Sequence, residues 1–248
     1  MEGIIMKLIS ETKDLHAIVV GSSGGIGKAF CKHLLSLHNV TKVTGLSRSE
    51  TVIDDPKFVS HQIDICDEAS IEAASLHIES AQLIIIATGI LHDDITMPEK
   101  SLNNLNLDQL EHVFKINTFG PALVIKHLAK KMPPKLPSLI VVLSAKVGSI
   151  SDNFLGGWYG YRASKAALNM MVRTASIEIQ RFHPNHNIIA LHPGTVTTSL
   201  SNPFTANYPE DKLIDPDGAI ARLMTVIDNL SPANNGQFIN WDGSRISY

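Results

Sequence analysis

Short runs of apolar and β-branched residues alternate along this chain with longer stretches in which apolar side chains recur every three or four positions. The runs are HAIVV (16–20), KVTGL (42–46), AQLIIIAT (81–88), SLIVVLS (138–144), NIIALH (187–192) and GQFINW (236–241). Continuous apolar runs of this length suit strands covered on both faces. The stretches 25–38, 67–80, 108–131, 160–182 and 216–230 carry the helical spacing between them. Strand and helix in alternation predict an α/β fold, a doubly wound parallel sheet with crossover helices on both sides. The Pro-rich KKMPPKLPS (130–138) breaks a helix before a strand, and 199–213 is a long loop of the kind that covers a site.

Composition narrows the picture. With 248 residues, 44% hydrophobic and 18% charged, the chain suits one domain with a sizeable core. Residues 15–248 are expected to form it, with 1–14 as a flexible arm. A net charge of −3 and the absence of a long Lys/Arg run argue against nucleic acid or a membrane surface as partner. Cys31 and Cys66 have neither disulfide nor metal spacing and are read as packing residues, so no metal is expected. The start has no basic segment leading into an apolar core, and no apolar stretch is long enough to span a bilayer; a cytoplasmic location is expected.

Chemistry enters directly after the first run, in VVGSSGGIGKAF, where Gly21, Gly25 and Gly27 are spaced GxxxGxG around Ser22, Ser23 and Ile26. Such a turn lets backbone approach a pyrophosphate at a helix N-terminus. Ala29 after Lys28 departs from the GK[ST] of a nucleoside-triphosphate loop. About twenty residues on, where an acidic residue would meet the ribose hydroxyls of NAD, stand Ser47 and Arg48. A guanidinium pairs with a 2′-phosphate that a carboxylate would repel, so the pattern leans toward NADP(H), with NAD(H) possible.

In GGWYGYRASKAALNM, Tyr161 and Lys165 are four residues apart and share one face of a helix, which can bring a phenol and an ammonium into one site. The glycine turn, this pair and HPGTVTT (192–198) together make the chain resemble a short-chain dehydrogenase/reductase, and GSISDN (148–153) leading into GGWYGYRASKAALNM, with the closing FINWDGSRISY (238–248), makes it most like the C-factor-like and sniffer-like carbonyl reductases. The resemblance implies a Rossmann-type sheet of about seven strands and hydride transfer between NAD(P)(H) and a carbonyl or alcohol. It assigns Asp64 and Ile65 to the adenine edge and Ala87, Thr88 and Gly89 to the cofactor wall, without the family's asparagines. It also assigns Asn117 to a proton-relay water, and Pro193, Gly194, Val196 and Thr198 to the nicotinamide. Tyr161 would be the proton donor, and Lys165 would lower its pKa and hold the ribose. Trp158 and Tyr159 read as pocket walls or packing.

One departure bears on catalysis. Aligned on Gly148 in SAKVGSI, the second serine of the family's usual pair is Ala145, leaving Ser144 or Ser149 to serve the substrate oxygen, with Ser144 favoured at the strand end. A dinucleotide-binding regulatory protein with little turnover is the alternative. The family's habit of pairing the Tyr/Lys helix, with the apolar stretch 166–179, implies a homodimer or homotetramer.

Overall fold

Each apolar run becomes a strand of one sheet in the computed structural model, which describes residues 7–198, 201–204 and 213–248. The strands are β1 (Leu15–Val20), β2 (Val40–Ser47), β3 (Phe58–Gln62), β4 (Leu83–Ile86), β5 (Ser138–Leu143), β6 (His186–Leu191) and β7 (Phe238–Ile239). All pairings are parallel, and the order is β3-β2-β1-β4-β5-β6-β7. The chain therefore leaves β1 in one direction and returns to its other side at β4. That reversal opens a crevice at the carboxyl ends of the two strands.

The alternation of side chains splits the core in two. Ala17, Val19, Ile85 and Val141 pack with Phe30 and Leu34 of α2 (Gly25–Leu35) and with Ile220 and Leu223 of α7 (Pro216–Asp228). Ile18, Val20, Ile84 and Val142 face α3 (Glu68–Leu76), α5 (Gly120–Leu128) and α6 (Tyr159–Phe182). β4 and β5 are buried along their whole length, as strands covered by helices on both faces should be. β3 was not among the predicted runs. It is a half-exposed edge strand whose FVSHQ pairs only with β2, so it needs no continuous apolar sequence.

Two expectations are corrected. Residues 7–14 are not a frayed arm: Leu8–Glu11 form a short helix, α1, that buries Leu8 and Ile9. Asp228 accepts from the backbone of Ile9 and Ser10, and Asn39 donates to the carbonyls of Ile9 and Thr12. The helix expected over 108–131 is broken into α4 (Leu107–Phe114), a π-helical turn (Lys115–Phe119) and α5. Pro121 explains the break, because it cannot donate to the carbonyl of residue 117 and its ring would crowd that carbonyl in a regular helix. Most of the loop expected to cover the site, 199–213, lies outside the described residues.

Candidate active site

The glycine turn docks on the end of β2, with the N–H groups of Gly21 and Ser22 both donating to Leu46 O at 2.7 and 3.2 Å. Gly21 has φ 91°, and a Cβ there would stand 3.0 Å from the carbonyl oxygen of Ala87. A side chain at Gly27 would run into the carbonyl of Gly21, so the first turn of α2 can lie against the turn after β1 only with glycine here. Thr198 packs beside Gly25, which brings the loop after β6 against the glycine turn.

A groove of about 180 Å³ opens at this place. Of the residues expected to hold a dinucleotide, Gly21, Ser23, Ser47, Arg48, Asp64, Ile65, Ala87, Thr88 and Gly89 line it. Gly24, Ile63, Cys66, Ile90 and Ile116 line it without having been expected. Gly25, Ile26 and Gly27 belong to the helix start behind the groove, and Ser22 is fully buried beneath it. Pro193 and Gly194 form the turn after β6, where Gly194 lies against Trp241; Val196 is buried and bridges to Ile214. Asp64 accepts from the N–H of Cys66 and shapes the turn after β3.

At the inner end of the groove the π-helical turn carries Asn117, which is wholly buried. Its Oδ1 accepts from Ile90 N at 2.8 Å, and its Nδ2 donates to Ile90 O at 2.8 Å and to Ser164 Oγ at 3.2 Å. The side chain thus ties the segment after β4 to α6, and a π turn at such a junction is a common mark of a functional site. Lys165 reaches the same point: its Nζ donates to Leu143 O at 3.2 Å. A Cβ at Gly89 would come within 3.1 Å of that Nζ and 3.2 Å of Asn117 Oδ1. Gly148 makes room for the Lys165 stem, since a side chain there would collide with it. Tyr161 sits one helical turn earlier, with its ring centroid 6.0 Å from the ammonium.

The electrostatics differ from what the spacing suggested. Burial pushes the Tyr161 phenol up rather than letting Lys165 bring it down, and burial lowers the Lys165 ammonium to about 8. Burial thus favours the protonated phenol at Tyr161. Ser144 gives its proton to Asn169 Oδ1 at 2.7 Å, and Ser149 gives its own to the carbonyl of Ser247, so both hydroxyls are engaged within the fold. Burial and nearby Lys146 keep His192 neutral, with a pKa of about 4.

Sequence reading missed Glu99. This acid is 5% exposed; its Oε2 accepts from Gly160 N at 3.0 Å and its backbone oxygen accepts from Trp158 N. It closes the first turn of α6 and holds Trp158 in a left-handed conformation, φ 53°, which non-glycine residues seldom adopt. Trp158 in turn stands edge to face with Tyr161 and with Phe204, and Phe204 with His92. Aromatic crowding in GGWYGY was the visible part of this wall. Nothing in TMPEK marked Glu99, because its partners come from a helix sixty residues away.

The groove fits a dinucleotide. Glycines stand where a Cβ would narrow it, Arg48 lies exposed at its mouth, and Thr88 Oγ1 is buried at its side without a partner among the described residues. No group of three or more His, Cys, Asp or Glu among the described residues could hold a metal ion.

Comparison with known proteins agrees with the geometry. The short chain dehydrogenase family model matches residues 15–209. The 1-hydroxy-2-glutathionyl-2-methyl-3-butene dehydrogenase of Rhodococcus sp. (strain AD45) is 27% identical over 231 residues, covering 93% of this chain and 98% of that protein. The NADPH-bound carbonyl reductase from chicken fatty liver superposes with a TM-score of 0.80 at 27% identity, over 96% of this chain and 100% of its own. The carbonyl reductase Sniffer of D. melanogaster, at 19% identity, shares the fold with a TM-score of 0.81 over the same shares.

Proposed function

The chain belongs to the short-chain dehydrogenase family, oxidoreductases acting on C=O and CH–OH groups with NAD(P)(H), and on that premise we propose an NADP(H)-dependent enzyme for a small carbonyl or alcohol. The observation that carries the reading is the convergence of Lys165, Asn117 and Gly89 at the inner end of the groove, one helical turn from Tyr161. The bound dinucleotide would be held by the glycine turn, Arg48 and Lys165, and would supply a hydride to the carbonyl carbon. As negative charge grows on the carbonyl oxygen, Tyr161 gives its proton to that oxygen; in the reverse direction it takes the proton back. Lys165 favours the phenolate left behind. Asn117 keeps the segment after β4 in place by its bonds to Ile90.

With Ala145 at the usual serine position and the protons of Ser144 and Ser149 engaged, Tyr161 alone serves the oxygen from this wall. Trp158 and Phe204 line the approach, and Phe154 and Leu155 stand exposed nearby in the loop before α6, which suits an apolar carbonyl better than a charged one. The NADPH-bound state of the chicken reductase supports the phosphorylated cofactor. The test is oxidation of NADPH by the purified protein with a panel of aldehydes and ketones. Dinucleotide affinity without turnover would favour a regulatory binding protein instead.

Two further parts of the reading rest on surface features. A larger groove, about 510 Å³, lies between α5 and α6 and is lined by Ile125, Ala129, Met171, Ala175, Ile179 and Phe182. It supports assembly as a homodimer or homotetramer, and a monomer at micromolar concentration in light scattering would overturn this. No helix among the described residues is long and apolar enough to cross a membrane, and a cytoplasmic setting belongs to the same proposal.

A further inference from the structure

Between the glycine turn and the loop carrying Arg48 lies a triangle of buried hydroxyls. Ser22 Oγ is 3.1 Å from Ser47 Oγ and 2.8 Å from Thr51 Oγ1, and Ser47 Oγ is 3.0 Å from Thr51 Oγ1. All three side chains are at most 5% exposed. Ser47 Oγ also donates to Ser49 O at 2.7 Å. Three hydroxyls own three protons, so these four contacts cannot all be hydrogen bonds at once. One arrangement uses the three shortest contacts: Ser22 donates to Thr51, Thr51 to Ser47, and Ser47 to the carbonyl of Ser49.

That relay starts in the turn expected to cradle the pyrophosphate and ends on the backbone one residue beyond Arg48. Two more bonds hold the same loop to β3: Gln62 Nε2 donates to Arg48 O at 3.2 Å, and Thr51 N donates to Ser60 Oγ at 3.2 Å. The Arg48 side chain is exposed, lines the groove, and has no ion pair among the described residues. Ser47 occupies the place where an acid would reach ribose hydroxyls, yet its own hydroxyl points into the relay.

We infer that the Ser22–Ser47–Thr51 relay is a positioning device for cofactor choice: it fixes the loop 48–50 against the glycine turn, so that the Arg48 guanidinium is already in place for a 2′-phosphate. A guanidinium on a free loop would lose conformational freedom on pairing, and a tethered loop has lost most of it beforehand. The inference rests on the NADP(H) reading above, with Arg48 as the phosphate partner. The relay residues themselves need not touch the phosphate.

The experiment compares NADPH and NADH affinities and steady-state constants for the wild type, Arg48→Ala, Thr51→Val and Thr51→Ser in the full chain. Thr51→Val keeps the shape and removes the middle hydroxyl. It is expected to weaken NADPH about threefold to tenfold, the weight of one hydrogen bond, to change NADH less than about twofold, and to leave kcat at saturating NADPH in place. Thr51→Ser restores the preference. Equal weakening of both cofactors, or no change in either, would overturn the inference while Arg48→Ala still lowers NADPH affinity. Thr51→Ala removes the same hydroxyl with less bulk and decides the matter if Thr51→Val does not fold. Should Arg48→Ala itself leave the preference unchanged, the NADP(H) reading falls and the inference with it.

Discussion

Around the glycine turn, the polar side chains are satisfied inside the fold: Ser22, Ser47 and Thr51 bond to one another, and the turn's amides bond to β2. Across the groove, at the ends of β4 and β5, the balance is different. Among the described residues Thr88 Oγ1 and Asn169 Nδ2 are buried without partners, Lys165 holds a buried ammonium at the cost of a lowered pKa, and Trp158 is kept in a left-handed conformation. The first side is a finished scaffold whose shape is set by the chain alone. The second carries desolvated and strained groups that hydrophobic packing by itself would not select, and such groups concentrate where chemistry is done. Ligand specificity can be built on satisfied bonds, whereas proton transfer needs groups held away from their resting preferences.

The most severe break in that comparison is Tyr161→Phe. It removes one hydroxyl from the strained side and almost no volume, so turnover should fall at least about a hundredfold while NADPH binds as before. Retention of most of the rate, with chemistry limiting, would show that the proton comes from another group.

Glu99→Ala tests whether the strain at Trp158 serves the site. Losing the buried acceptor for Gly160 N should cost about 1–3 kcal/mol of stability. Turnover should drop by about tenfold as the Tyr161 turn loosens, with a change in tryptophan fluorescence. Glu99→Gln retains an acceptor and should stay within about twofold of the wild type in turnover. A stable Glu99→Ala protein with unchanged rate would mean that α6 holds its first turn without help.

The Lys165 charge can be weighed by pH. The folded protein releases this proton near pH 8, whereas an unfolded lysine holds it to about 10.4. Between those values the unfolded chain binds more protons, so the contribution of Lys165 to stability rises with pH; below about 8 the burial cost is present in full. Wild type should therefore melt below Lys165→Met at pH 7, by a few degrees, and the gap should narrow as pH rises from about 8 towards 10.4. A gap that stays constant across that range would show that the ammonium is not strained.

The smallest effect on rate is expected at Ser144. Because its proton goes to Asn169, Ser144→Ala should leave turnover within about twofold and lower stability by about 1–2 kcal/mol, since Asn169 Oδ1 loses its donor. A loss of some hundredfold in turnover would return the oxyanion role to Ser144.

Much of this molecule could be read along the chain because it depends on local pattern. Six of the seven strands, the glycine turn and the Tyr161/Lys165 spacing follow from side-chain period and from where glycine is sterically required. The polar edge strand β3 escaped because it buries only one side against a neighbour, and the break at Lys115–Phe119 escaped because a single proline can bend a helix or end it. What tertiary structure alone decided are matters of distance between remote residues. Ser144 turns to Asn169, Glu99 meets the start of α6, α1 docks on Asp228, and Thr51 completes a relay with Ser22. Burial likewise reversed the expected shift at Tyr161, because desolvation depends on every atom packed around a phenol while spacing along a helix reports only one neighbour.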